Sequence, residues 1–141
     1  MILFDTAGAR NRVLTNVILA VRDLVVPVEP SSVVTNDLLQ FLDMIETLSD
    51  LAVQTGGEAL AVRGFYFNRV ERNTRAHRDN MEDVREGLAE TAYRVSAPCI
   101  PKTTLIEKAA SARAPVVTEF PAEPVSQSYR EVFADLFEEF T

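Results

Sequence analysis

Apolar and polar positions alternate along this chain with two periods. Short continuous apolar runs have the length and β-branched content of buried strands, and between them apolar residues recur every three or four positions. Ile2–Thr6 reads as a buried strand, and Leu24–Val28 as a second, stopped by Pro27, Glu29 and Pro30. Leu60–Val70 contains a third, centred on Gly64-Phe65-Tyr66-Phe67. Val95–Ile100 is a short strand closed by Pro101, and Pro115–Phe120 a last extended segment. Between these lie helical patterns. Leu14, Val17, Ile18 and Val21 share one face, and Leu38, Leu42, Ile45, Leu48 and Ala52 form a longer stripe. Thr35 or Asn36 can cap that longer helix, and Gly56-Gly57 ends it. Met81, Val84 and Leu88 mark the buried side of a helix that follows the polar turn Glu71–Thr74, and a short helix covers Thr104–Arg113. Val125, Tyr129, Val132, Phe133, Leu136 and Phe140 give the last helix the clearest apolar face. Ser128 and Glu131 have capping-box spacing near its start. Glu138 and Glu139 oppose the dipole near its end, which predicts fraying there.

Strands alternating with helices over short connections predict an α/β fold: three layers, a mostly parallel sheet with helices on both faces. The chain shows no internal repeat, linker or domain boundary, so 1–141 is read as one domain. At 141 residues it can bury roughly 70% of its unfolded surface, enough for a real core.

Charge and composition narrow the functions. A formal net charge of -7 argues against a general nucleic-acid binder, although a local basic patch remains open. No apolar run reaches the length of a membrane span, and no signal-like segment opens the chain. The single cysteine, Cys99, has no internal disulfide partner, which points to the cytoplasm and, beside Pro98 in an apolar strand, to inert core. His77 reads as a surface helix residue, since no second histidine accompanies it. No Ser-His-Asp arrangement or zinc spacing occurs.

The most informative stretch is Ile2-Leu3-Phe4-Asp5-Thr6-Ala7-Gly8-Ala9. An apolar strand ending in Asp-Thr-Ala-Gly, directly before a helix, would deliver a carboxylate to the carboxyl edge of a parallel sheet. Nucleotide phosphates and magnesium bind at such edges. Three further segments follow: Asp23-Leu24-Val25-Val26-Pro27-Val28-Glu29-Pro30-Ser31; Gly64-Phe65-Tyr66-Phe67-Asn68-Arg69-Val70 with Thr74-Arg75; and Ile100-Pro101-Lys102 through Ala109 with Pro115-Val116. In this order and spacing the four segments resemble the ParA/Soj/MinD group of deviant P-loop ATPases, most closely the ParA-type partition ATPases. The resemblance covers essentially the whole chain, but only the C-terminal part of the family fold.

The resemblance implies a role for each matching position. Asp5 resembles the Walker B carboxylate, the catalytic-site acid that helps hold magnesium, usually through water. Thr6 and Gly8 fall in the switch that follows, where Gly8 lets the backbone approach a γ-phosphate. Asn68 and Arg69 resemble the residues beside adenine, and Pro101 and Lys102 the loop that closes over the base. Without the resemblance, Asp5 also fits a helix N-cap, Asn68 a turn residue and Pro101 a strand stop. The resemblance further implies ATP and magnesium as cofactors, and ATP-driven dimerisation with itself or with a full-length relative. A ParB-like centromere-binding partner and non-specific DNA contact in plasmid or chromosome segregation are implied as well. Arg69, Arg72, Arg75 and Arg78 recur every third residue. Arg72, Arg75 and Arg78 are the candidates for DNA phosphates, although Glu71, Asp79, Glu82 and Asp83 interleave as on a solvated face.

The chain also departs from the family pattern. None of its five glycines is followed by lysine, so no G-x-x-x-x-G-K-[ST] loop exists, and the signature lysine and first switch are absent too. Leu105 stands where many relatives carry a basic residue, Lys108 where Glu is common, and Arg113 where Gly is usual. The expectation is a truncated or split member of the family, not hydrolytic alone, in which Ile2–Thr6 and Leu24–Val28 either pair directly or leave an apolar slot between them. The alternative is a non-enzymatic interaction module that binds a full-length relative.

Overall fold

The two apolar runs in the middle of the chain become the only strands among the described residues: β1 (Asp23–Val28) and β2 (Ala61–Phe67). The computed structural model describes residues 2–6, 12–30, 35–71 and 73–137. Ala61 N–H donates to the Arg22 carbonyl at 2.7 Å and Asn68 N–H to the Val28 carbonyl at 2.9 Å. Both strands therefore run the same way. A parallel pair needs a long crossover, here the helix α2 (Thr35–Gln54), with α1 (Arg12–Ala20) ahead of β1. After β2 come α3 (Arg75–Ala89), α4 (Thr104–Ser111), the single turn α5 (Val116–Glu119) and α6 (Pro124–Leu136). The chain is mixed α/β with a small parallel sheet.

By its internal contacts the chain divides into two units, 1–24 with 36–62 and 25–35 with 63–141; each strand runs from one unit into the other. The core of the first unit is Leu14 and Ile18 of α1 with Ile45 of α2. Phe41, Met44, Leu48, Leu60 and Val62 pack around it. The predicted faces of both helices are the buried ones. Gly56, at φ +86°, turns the chain out of α2. The core of the second unit is Ile100 with Val125, Val132 and Leu136 of α6, flanked by Val25, Tyr66, Leu105 and Tyr129. Phe65 and Phe67 of β2 are fully buried, and burying each such ring contributes roughly 2–3 kcal/mol.

Four sequence expectations are corrected. Ile2–Thr6 forms no strand, and Ile2 and Leu3 are 82% and 86% exposed. An apolar run becomes a strand only where a neighbour takes its backbone groups, and no described strand does so here. Val95–Ile100 follows β2 without forming a full strand. Ser96 N–H donates to the Phe65 carbonyl and Ile100 N–H to the Phe67 carbonyl, so four residues of advance face two. The surplus bulges at Ala97-Pro98-Cys99, where proline has no N–H to give. Only the parallel bridges Phe65–Val95 and Val70–Pro101 remain, and Cys99 is half-buried rather than core. Pro115–Phe120 is not extended: the amides of Thr118 and Glu119 both donate to the Pro115 carbonyl at 3.0 Å, closing α5. The last helix starts earlier than the capping-box spacing implies. Pro124 occupies its first position after Glu123, and Ser128 is buried inside it. The expected caps Thr35 and Asn36 lie outside the described side chains, and Glu138, Glu139 and Phe140 outside the described residues.

Candidate functional site

The second unit brings two distant loops together. β2 ends at Phe67, and Asn68–Glu71 continues beyond its carboxyl end. The Val70–Pro101 bridge fixes this segment against 100–102: Val70 N–H donates to the Ile100 carbonyl at 3.0 Å, and Lys102 N–H returns to the Val70 carbonyl at 3.1 Å. Asn68, Arg69, Pro101 and Lys102 thus share one shelf at the strand ends, the edge where open parallel sheets bind ligands. Four of the residues singled out from the sequence meet there.

The shelf is held by specific contacts. Asn68 is half-buried; its Oδ1 accepts the Arg69 N–H at 3.0 Å, and its own N–H holds the end of β1. Arg69 adopts φ +56°, a left-handed conformation that costs a non-glycine residue about 1–2 kcal/mol. Its Nε lies 3.7 Å from a carboxylate oxygen of Glu29, just past β1. Lys102 Nζ donates to Glu71 Oε1, and Thr74 Oγ1 donates to Glu71 Oε2 at 3.3 Å. The Lys102 hydrogen bond and charge, then the Thr74 hydroxyl, hold the Glu71 carboxyl below its usual range.

A further residue of this region was read wrongly from sequence. His77 is only 6% exposed, and its Nδ1 accepts the Glu71 N–H at 3.1 Å. It sits three residues after Thr74, the N-cap of α3. From this third helical position the ring reaches past the N-cap to an amide of the preceding turn.

Of the other assigned residues, Asp5 and Thr6 belong to the first unit, on an exposed segment. Gly8 and Arg72 lie outside the described residues. Arg75 is exposed and pairs with Asp79 at 3.4 Å, and Arg78 is exposed on α3. The arginine series is therefore partly spent on local acids, with Arg69 near Glu29 and Arg75 on Asp79.

Among the described residues, none assembles a site for magnesium phosphate. Asp5 is not fixed at a strand end. No described group of three or more His, Cys, Asp and Glu could hold a metal, and no G-x-x-x-x-G-K-[ST] loop supplies phosphate donors. The shelf carries an amide side chain, a proline ring and a lysine whose Nζ is engaged by Glu71. No described helix is long and apolar enough to cross a membrane. In comparison with known proteins, no family model matches the chain and no curated protein matches it.

Proposed function

We propose that this chain is a ParA-type partition protein in ancestry, carrying the base side of a three-layer P-loop fold without its phosphate side. In such a family Mg-ATP drives dimerisation and DNA-linked segregation; this chain takes an adenine nucleotide weakly and does not turn it over. The Val70–Pro101 bridge carries the proposal. It joins Asn68-Arg69 to Pro101-Lys102, more than thirty residues on, at the carboxyl ends of a parallel pair. Arg113 adds support: it sits at φ +54° at the end of α4, and the family resemblance has glycine at this position.

Titration calorimetry with ATP tests the proposal. The expected result is a Kd on the order of a millimolar, about -4 kcal/mol, lost in Asn68→Ala and unchanged in Asp5→Ala or without magnesium. Phosphate release should stay at the uncatalysed rate. Binding that needs magnesium and Asp5 would replace the base-side proposal with a working phosphate half-site.

A second reading, a non-enzymatic module that docks on a full-length relative, is favoured by one observation. Of the nine large apolar side chains exposed among the described residues, eight (all but Phe133) belong to the first unit: Ile2, Leu3, Phe4, Val13, Leu19, Leu39, Leu51 and Val53. Apolar exposure concentrated this way marks surfaces that other chains cover. Absence of any nucleotide binding would leave this reading alone.

A further inference from the structure

We propose that α3 carries a self-complementary charge stripe on which a second copy of this chain docks, the two α3 helices packing antiparallel about a two-fold axis. Arg78, Met81, Glu82, Arg85, Glu86 and Ala89 line a groove of about 580 Å³. Their spacing places them in one stripe down the helix, beside its buried face of His77, Val84 and Leu88. Four of the six are charged, and none of the four pairs with an opposite charge among the described residues. Arg75 closes on Asp79 four residues along at 3.4 Å, whereas Arg78 makes no such pair with Glu82. Arg85 lies instead over the buried Phe67 ring, 5.1 Å from its centroid. That contact limits where the side chain can go, and a guanidinium stacked on a ring still donates in its own plane.

The six positions are symmetric about the point between Asp83 and Val84. When two such helices cross antiparallel at that point, Glu82 faces Arg85 of the second copy and Arg85 faces its Glu82. Met81 then meets the methylene stem of Glu86, and the stem of Arg78 lies over Ala89. The two central contacts join opposite charges, none of these contacts joins like charges, and the two-fold axis makes each of them twice. The order of charge selects the occupant. Along the stripe the signs alternate, Arg78, Glu82, Arg85, Glu86, so a uniformly basic or uniformly acidic partner would meet like charge at every second charged position. A second copy running in reverse does not. Two chains of net charge -7 repel each other at a distance, and contact is least opposed where local charge is balanced, as it is on this stripe. One helix stripe per partner is a small contact and exposed pairs each add little, so the dimer is transient, half-formed on the order of a millimolar. It needs no nucleotide and does not rest on the function proposed above.

Sedimentation equilibrium and dilution NMR without nucleotide test the dimer. The native chain should pass from monomer toward dimer between micromolar and millimolar concentration. The amides that shift on dilution should be those of the stripe, Met81 to Ala89. Glu82→Arg alone, and Arg85→Glu alone, each set like charges together twice, and each should weaken association at least tenfold. An equimolar mixture of the two variants restores both opposite-charge pairs between unlike chains, and should recover the native association as a heterodimer. A native chain that stays monomeric at millimolar concentration would overturn the proposal, as would dilution shifts that fall outside α3. Glu82→Arg that associates as the native chain does would overturn it too, and so would a mixture that fails to associate while both variants keep native helix content by circular dichroism. The dilution shifts are read on the native chain, so they decide the matter even where Arg85→Glu does not fold.

Discussion

Arg69 and Arg113 hold backbone angles that L-residues rarely adopt, and the two positions have different meanings. Arg113 ends α4: its N–H donates to the Ala110 carbonyl and the Ala114 N–H to the Ala109 carbonyl, both at 3.0 Å. Glycine fits that turn without strain. The left-handed cost of about 1–2 kcal/mol outweighs the extra chain entropy of glycine, about 0.5–1 kcal/mol. Arg113→Gly should therefore raise stability by about 0.5–1 kcal/mol in urea unfolding. Gly64 is the reverse case. At φ +148° a Cβ there would stand 2.8 Å from Leu136 Cδ2 and 3.0 Å from the Arg94 carbonyl oxygen. Gly64→Ala should cost about 2–3 kcal/mol in the same measurement. Sequence pattern located Arg113 as an anomaly only through the family resemblance. It could not show the role of His77, because burial of a polar side chain in a first helical turn depends on the loop folded over it.

Helices with long apolar stripes were legible because a 3.6-residue period repeats over several turns, as in α2 and α6. Short segments were not, because their fate is decided by partners. Ile2–Thr6 has strand composition but no neighbour among the described residues. Val116-Val117 has β-branched residues but lies between Pro115, whose carbonyl takes two amides, and Ser126, whose hydroxyl donates to the Val116 and Phe120 carbonyls at 3.0 and 2.7 Å. Packing of α6 has a consequence for pH. Burial raises the phenol pKa of Tyr66 of β2, with a smaller contribution from Tyr129, and burial raises that of Tyr129 on α6. A phenol whose folded pKa is raised favours the fold below the unfolded value of about 10 and loses that contribution as pH rises past it. Thermal unfolding should show Tm falling more steeply above about pH 10 in the native chain than in Tyr66→Phe.

For the chain as a whole, the fold class was legible as far as α/β, and the shelf as far as its four residues. The number of paired strands was not, because pairing depends on groups distant in sequence. The proposed nucleotide site has no G-x-x-x-x-G-K-[ST] loop for phosphate in this sequence, and its proposed base side rests on the bridge that brings Asn68-Arg69 beside Pro101-Lys102. The proposal of nucleotide recognition without turnover rests on that asymmetry, and chemical-shift mapping tests it most directly. On titration with AMP to millimolar concentration, the amides of Asn68, Arg69 and Lys102 should shift saturably. GMP should shift them less, magnesium should make no difference, and Asn68→Ala should abolish the response. Amides that stay still at millimolar AMP, or that respond equally to GMP and in Asn68→Ala, would contradict a base site on this shelf.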